Sequence, residues 1–327
     1  MALRNVLILR RLGGSRLGGR AAPMPPAATG GWLQTRRTRQ TALVVCFLTP
    51  SLLIFLLYRV LPLAWNVMLS FQAWSPLHPP VWVGWDNYAE MLQDDDVVWQ
   101  ALANTLIFMA SQAIGVVVAL GIALLVNSDL KGAAVYRTIV FLSYPLMTVA
   151  VAIIWRWMYN ERGGLIDFVL RRLDIISQPI AFLDSFAWAL PSTIVANTWQ
   201  VLGFFMIVLL TGLQSIPPHL YEAARVDGAP GWARLMRITV PMLKPSLFLC
   251  AVIGILNSFA AFDLVYVMTN GGPGHATELL ITYIYKQAFN ESRFDYAATL
   301  TVAQFALLLL LAWLAHRAAG GNAGALE

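Results

Sequence analysis

Long stretches without a charged residue constrain the fold of this 327-residue chain more than any other feature. A helix needs about 20 apolar residues to cross the hydrocarbon core of a bilayer. Charged residues make up 12% of the chain, whereas roughly a quarter of a soluble domain is charged. The composition excludes a soluble globular enzyme and a disordered chain, and it predicts an all-α membrane protein. The charge-free stretches are Thr41–Tyr58, Val60–Trp85, Val97–Ser128, Thr138–Trp155, Ser185–Tyr221, Pro245–Phe262 and Tyr296–His316.

The second stretch differs from the others because it carries Pro62, Pro76, Pro79 and Pro80 and is continuously apolar only at its start. We interpret that start, up to Phe71, as the extension of the first helix, kinked near Pro62. An exterior loop follows it. This interpretation gives six transmembrane helices. Their predicted bounds are roughly Leu43–Phe71, Asn104–Val126, Thr138–Tyr159, Leu190–Leu213, Ser246–Thr269 and Tyr296–Arg317.

The Lys and Arg residues predict the orientation of the six spans, because cytoplasmic loops carry an excess of positive charge. The first 40 residues are rich in Arg and contain no Asp or Glu. In the six-span scheme, Lys131 and Arg137 lie on the same side of the membrane as these first 40 residues. The acidic loop after the first span lies on the opposite side. We therefore predict that both termini are cytoplasmic. The basic connection with Arg162, Arg171 and Arg172 is placed outside by parity alone.

The domain organisation follows from these spans. Residues 1–40 are predicted to be a flexible basic cytoplasmic tail, 41–317 the six-helix transmembrane domain, and 318–327 a C-terminal tail. An acid-free, Arg-rich start also fits an organelle transit peptide. Its richness in Gly, Pro and Ala, without an amphipathic pattern, favours the tail.

Small residues in the second span indicate close packing between helices. Gly115, Ala119 and Ala123 recur every four positions. Such a seam lets two backbones approach each other, and we interpret it as a packing face.

The segment 214–245, between the fourth and fifth spans, is predicted to fold by itself. Ser215 can cap a helix that has Pro217 and Pro218 in its first turn, where a missing N–H costs nothing. Gly228 supplies a left-handed stop. The segment therefore begins with a short helix that ends at a glycine.

A second short helix follows that glycine. It is predicted to begin at Pro230, to present Trp232, Leu235 and Met236 on one face, and to break at Pro241 before the fifth span. A loop of this length with a structure of its own is usually functional.

Two stretches carry a resemblance to a known family. Glu222-Ala223-Ala224, with Gly228 after three residues and Ile238-Thr239-Val240-Pro241 after nine more, resembles the EAA signature of binding-protein-dependent ABC transporter permeases. It departs from that signature only at Val240, where the family prefers leucine. Phe262–Gly274, and its continuation through Thr277, Glu278, Tyr283, Ile284, Tyr285 and Phe289, is similar to sugar permeases of the maltose-transporter type. The resemblance covers the chain from about Thr41 to Arg317.

The resemblance implies a type I ABC importer permease, in which the 214–245 loop is cytoplasmic and couples the chain to an ATPase. Glu222, Ala223, Ala224 and Gly228 would dock into a cleft on the ATP-binding subunit. On the residues alone, Glu222 and Arg225 could instead form an ordinary surface pair. The implied partners are a second homologous permease, two ATP-binding subunits and an extracytoplasmic solute-binding protein. ATP and Mg would be bound by the ATP-binding subunits, and the complex would lie in a bacterial or archaeal plasma membrane.

Sugar recognition needs rings that stack on the C–H faces and amides that bond the hydroxyls, and the spans offer both. Ionisable groups inside spans are costly and therefore functional candidates, which adds Arg59 and Asp263, whereas Arg156 could snorkel to the surface. Interhelical hydrogen bonding by the amides and core packing by the rings remain open as alternatives. The cavity candidates are Asn197, Trp199, Gln200, Asn257, Phe259, Asp263, Tyr266 and Arg59.

We predict that the chain is a permease subunit for a mono- or oligosaccharide, with no ATPase site of its own. It has no P-loop motif, its four histidines lack ligand spacing, and the Asp94–Asp96 run is interpreted as solvated rather than as a metal site. One alternative is import of glycerol-3-phosphate or glycerophosphodiesters, with Arg59 or Arg156 serving the phosphate. A membrane-embedded enzyme would need paired acids, and the spans supply only Asp263.

Overall fold

The computed structural model describes residues 31–76, 78–127 and 132–318, and most of them are helical. The chain divides into two units between Leu61 and Pro62. Residues 31–40, assigned from the sequence to the tail, belong to the first helix. Most of the predicted N-terminal tail, Lys131 and the end of the chain after residue 318 lie outside the described residues.

The described residues of the first unit, 31–61, form a helical stretch. Helix α1, Gly31–Phe55, is followed by a π-helical turn, Leu56–Val60. The next helix along the chain is α2, Leu61–Leu69, and all of it after Leu61 belongs to the second unit. Pro62 lacks an N–H and its ring crowds the carbonyl four residues before it. The irregularity predicted near Pro62 therefore takes the form of a π turn just before it.

A small hairpin follows α2. Strand β1, Gln72–Ser75, pairs antiparallel with β2, His78–Trp82, and Gln72 lies opposite Trp82. Helix α3, Asp86–Gln93, comes next. The hairpin departs from the predicted all-α class, since the two prolines in β2 exclude a helix there.

Helices α4, Asp96–Val126, and α8, Ala189–Gln214, form the centre of the second unit and run side by side in the same direction. Ala119 and Ala123 of α4 are fully buried, and Gly115 lies directly against α8 side chains. The small-residue seam predicted from the sequence is confirmed. We call the end of this unit that carries β1 and β2 the hairpin end, and the end that carries segment 214–245 the coupling end.

The third predicted span is two helices. Helix α5, Ala133–Phe141, and α6, Thr148–Met158, are separated by the non-helical stretch 142–147. Pro145 lies in that stretch, and a proline disfavours helical geometry in the residue before it. The prediction of one helix over Thr138–Tyr159 is therefore wrong.

The fifth predicted span, Ser246–Thr269, is also interrupted. Helix α12 ends at Phe259, having begun at Lys244, and α13 covers Phe262–Met268. The N–H of Phe262 bonds to the carbonyl of Ala260 at 2.8 Å, which breaks the helical ladder. No Pro or Gly marks this point in the sequence, so the pattern could not reveal it.

Among the described residues, four helices are long and apolar enough to cross a membrane, and a fifth is added if one bent pair forms a single span. The count of six spans stays a prediction. The four are Leu43–Leu69, Asp96–Val126, Ala189–Gln214 and Phe294–Arg317. The remaining elements are α7 Leu165–Arg172, α9 Pro218–Val226, α10 Gly231–Arg234, a π turn Leu235–Thr239, α11 Val240–Met242, α14 Leu280–Tyr285, a π turn Lys286–Asn290 and α15 Phe294–Ala318.

Asp95 joins three elements at the hairpin end. Its Oδ1 accepts the N–H groups of Val97 and Val98 at 3.0 and 3.4 Å and so caps α4. Its Oδ2 accepts the hydroxyls of Tyr283 and Tyr296 at 2.7 and 2.6 Å. Burial, together with the adjacent Asp95 carboxylate, raises the pKa of Tyr283, so its hydroxyl remains a donor. Asp95, predicted to be part of a solvated run, is instead a helix cap and an anchor.

We expect Gly203→Ala to destabilise the bundle, because a Cβ there would lie 2.5 Å from the Val140 carbonyl oxygen and 2.7 Å from the Phe141 Cα. Overpacking of this kind costs about 1–3 kcal/mol. The measurement is the melting temperature of the purified protein in detergent. Gly121→Ala is the control, since nothing lies within 4 Å of its Cβ position and alanine is the better helix former. Equal melting temperatures for the two variants would contradict the close approach.

Candidate functional site

Helix α9 and the glycine that ends it form the part of segment 214–245 that the sequence assigned to coupling. Glu222 and Ala223 are exposed, and Ala224 is half-buried. Gly228 has φ +70°, which confirms the predicted left-handed stop. The N–H of Ala229 bonds back to the Ala224 carbonyl at 2.9 Å, which closes the end of the helix.

Two details of this segment differ from the prediction. Ser215 does not cap α9; its hydroxyl donates to the Gly212 carbonyl at 2.7 Å, so it ends α8. Pro241 does not break the second helix. The π turn Leu235–Thr239 leads directly into α11, and Pro241 lies inside α11. The break comes at Leu243, where the axis bends by 68° before α12.

One side of α9 is fixed, by a hydrogen bond to the later part of segment 214–245 and by apolar packing against the bundle. The Tyr221 hydroxyl bonds to the Thr239 hydroxyl at 3.0 Å, and Leu220 packs with Leu213 and Ile216. The opposite side carries the exposed Glu222. A helix held on one side, with a carboxylate and the small Ala223 exposed, can insert into a groove on a partner and form charge-assisted hydrogen bonds there.

A polar cleft of about 570 Å³ opens between the end of α6 and the loop after α13. That loop is bonded to Asn104 of α4, whose amide donates to the carbonyls of His275 and Glu278 at 3.1 and 3.0 Å. Peptide groups, charged side chains and two aromatic residues, Tyr159 and Tyr266, line the space, so it can bond a hydroxylated solute. The lining residues are Arg156, Tyr159, Asn160, Glu161, Arg162, Leu183, Asp184, Tyr266, Val267, Met268, Thr269, Asn270, Gly272 and Pro273.

A buried ion pair holds the loop that forms one wall of this cleft. The Glu278 side chain is fully buried, and its Oε2 lies 2.5 Å from the Lys286 ammonium, which also donates to the Asn270 carbonyl at 2.8 Å. A Cβ on Gly271, at φ +80°, would collide with the Glu278 carboxylate. Lys286 therefore joins the two ends of the loop, at Asn270 and at Glu278.

Three of the predicted cavity residues are committed to packing inside the bundle. Asn197 is buried and accepts the Gln112 amide at 2.9 Å. The buried Gln200 donates to the Leu146 carbonyl and to the Thr148 hydroxyl, both at 3.2 Å. Phe259 is buried in the core near the hairpin end. These contacts favour the alternative of interhelical bonding and core packing.

The other candidates lie in different places. Tyr266 lines the cleft and stacks on Phe262, with ring centroids 5.0 Å apart. Trp199 is 41% exposed, and Asn257 is half-buried in α12. Asp263 is exposed in the first turn of α13. Arg59 is exposed in the π turn of the first unit. Their roles in solute contact stay predictions.

Most residues of the cleft are not among those predicted from the sequence. Asn160, Glu161, Arg162 and Asp184 lie in the connection that the charge rule fitted least well, and that misfit was the available signal. Arg156, left open between two roles, lines the cleft and its guanidinium donates to the Val267 carbonyl at 3.4 Å. The described residues contain no cluster that could hold a metal ion.

We expect Glu278→Ala to lower the melting temperature of the purified protein, because it leaves the Lys286 ammonium without its buried partner. Breaking a buried pair costs about 3–5 kcal/mol. Glu90→Ala is the matched control: its pair with Arg293 is 37% and 42% exposed, and exposed pairs contribute about 0–1 kcal/mol. The double variant Glu278→Ala/Lys286→Ala should recover part of the loss. Equal melting for Glu278→Ala and Glu90→Ala would contradict the anchoring role.

Comparison with known proteins places these features in a family. The family of binding-protein-dependent transport system inner membrane components matches residues 98–319. The chain is 31% identical over 278 residues to the trehalose/maltose transport system permease MalF of Thermococcus litoralis, covering 83% of this chain and 91% of that one. It is 33% identical over 278 residues to the lactose transport system permease LacF of Rhizobium radiobacter, covering 84% and 92%.

A solved structure has the same fold. It is a bacterial alginate ABC transporter in complex with an alginate pentasaccharide-bound periplasmic protein, with a TM-score of 0.74 and 25% identity over 86% of this chain and 95% of that one. The likeness extends beyond the matched family region to most of the described helices. From the match over residues 98–319 and these relatives, the chain belongs to the family of binding-protein-dependent ABC transporter permeases.

Proposed function

We propose that this chain is the permease subunit of an ATP-driven importer that moves a carbohydrate across the plasma membrane of a bacterium or archaeon. The observation that carries this proposal is the similarity, over most of both chains, to permeases named for trehalose/maltose and for lactose. The neighbouring solved structure is named for alginate, also a carbohydrate. The chain itself would hydrolyse nothing.

The coupling end supports the proposal that separate subunits hydrolyse the ATP. Glu222, Ala223, Ala224 and Gly228 would dock into those subunits, and Tyr221 would pass their movement to the bundle through its bond to Thr239. A second homologous permease would complete the membrane part. In this arrangement the bundle has six spans, with the two broken helices each counted once, and both termini are cytoplasmic.

The hairpin end supports delivery of the solute from outside. The cleft lined by Tyr266 and Asn270 lies at this end, far from α9, because α4 alone is 31 residues long and a helix rises about 1.5 Å per residue. A solute-binding protein would release the sugar here. Closure of the ATPases would then rock the bundle and open the path to the other side.

The arginines of the cleft are the feature that supports the alternative class of solute, the phosphate-containing glycerol compounds. Arg156 and Arg162 both line it, and a guanidinium suits a phosphate. Glu161 and Asp184 line the same cleft, however, and would repel an anion. This balance favours a neutral sugar over glycerol-3-phosphate or a glycerophosphodiester.

Uptake by the complete complex tests the proposed function. The permeases, the ATPase subunits and the binding protein would be reconstituted in proteoliposomes with ATP inside. We expect accumulation of at least one labelled mono- or oligosaccharide from a panel and none of labelled glycerol-3-phosphate. Uptake of the phosphate compound alone would overturn the carbohydrate assignment.

Docking of the ATPase at the coupling end is tested by a glycine pair. We expect Gly228→Trp to abolish co-purification with the ATPase subunits, because indole bulk beside α9 would block entry into a groove. Gly84→Trp is the control, since Gly84 has a similar φ of +64° and the same free space, but lies next to the hairpin. Both changes strain the backbone by about 1–2 kcal/mol, so only position distinguishes them. Unchanged co-purification of Gly228→Trp would contradict docking.

A further inference from the structure

A second pocket, of about 700 Å³, lies at the coupling end between the ends of the long helices and segment 214–245. We call it the coupling-end pocket. It is separate from the cleft described above and from the exposed side of α9. Its lining residues are Leu124, Asn127, Leu213, Tyr221, Arg225, Gly231, Arg234, Leu235 and Thr239.

The walls of this pocket differ in chemistry. Leu124 and Leu213 come from the last turns of α4 and α8, and Leu235 adds to the same apolar surface. Arg225 and Arg234 supply two guanidinium groups on the side of the pocket formed by segment 214–245. An apolar wall beside two positive charges suits an amphiphile with an anionic head.

The guanidinium of Arg234 lacks a hydrogen-bond acceptor for one of its N–H groups. Its Nε is buried and has no hydrogen-bond partner, and no carboxylate among the described residues lies within ion-pair distance of it. A buried N–H without a partner is unfavourable, and a guanidinium presents N–H groups in a fork that matches phosphate oxygens. A phosphate in the pocket would satisfy this group.

The position of the pocket indicates where that phosphate comes from. Helices α4 and α8 are both candidate membrane spans, so in a bilayer their final turns would lie near the level of the lipid headgroups. Basic pockets beside transmembrane helices bind anionic headgroups. We propose that the coupling-end pocket binds an anionic phospholipid, with its phosphate on Arg234 and its apolar part against Leu124, Leu213 and Leu235.

A lipid in this pocket would contact the segment that transmits movement. Tyr221 and Arg225 lie one turn apart on α9 and both line the pocket, and Tyr221 is on the side of α9 that is bonded to Thr239. The bound lipid would therefore support α9 on the side that lines the pocket. Only the assignment to the cytoplasmic leaflet rests on the proposed function; the headgroup level itself does not.

Native mass spectrometry of the complete complex, titrated with phosphatidylglycerol, tests the proposal. We expect Arg234→Gln to weaken retention of one lipid per copy of this chain about tenfold, which is the loss of one charge-assisted contact. Arg237→Gln is the matched control, because Arg237 lies in the adjacent π turn, is exposed and does not line the pocket. Equal retention by the two variants would overturn the proposal.

Two further arms make the result decisive. Free glycerol-3-phosphate and inorganic phosphate should not displace the lipid at equal concentration; displacement would show a soluble phosphate site and overturn the lipid assignment. If Arg234→Gln does not assemble, Leu124→Trp fills the apolar side without changing a charge and should lower retention in the same way, and unchanged retention would overturn the proposal. Because the readout is bound lipid, it is independent of sugar uptake, so failure of the carbohydrate assignment would be seen separately.

Discussion

The close contact between α4 and α8 is the constraint on which the rest of the structure depends. The small residues Gly115, Ala119 and Ala123 let α8 side chains pack directly against α4, and Gln112 bonds to Asn197 across the contact. In a bilayer, where apolar burial gives little driving force, such packing and such bonds are what hold helices together. The two helices therefore act as one rigid strut that carries a different site at each end.

The two ends of this strut are built by different interactions. At the hairpin end, carboxylates organise the loops: Asp95 holds two tyrosines, and Glu278 holds Lys286. At the coupling end, α9 is attached by one hydroxyl pair, Tyr221 with Thr239, and by apolar packing. The loops at the hairpin end are therefore held by charged contacts, whereas α9 is held by one neutral hydrogen bond and by apolar packing.

The broken helices lie in the same bundle. The breaks at 142–147 and at 260–261 leave carbonyls and amides free of the helical ladder. Some of these groups form hydrogen bonds with other parts of the chain. The Leu146 carbonyl, for example, accepts a hydrogen bond from the Gln200 amide. Ser143 and Ala261 are buried at these breaks, whereas Leu142 and Met147 are 60% and 74% exposed, so the first break lies largely at the surface of the single chain.

The sequence by itself determined the class of protein, the helix–glycine–helix segment and the small-residue seam, because each depends on local composition or on the conformation of one residue. Gly228 is left-handed and the seam is buried, as predicted. Only the tertiary structure decided which polar residues face a cavity. Asn197 and Gln200 have the chemistry of a sugar site but are bonded to other helices, whereas Arg162 and Asp184 line the cleft from a connection that no periodicity singled out. The sequence determines the chemistry of each side chain. The partner of that side chain depends on which helix packs beside it, and this packing is set by contacts between residues far apart in the chain.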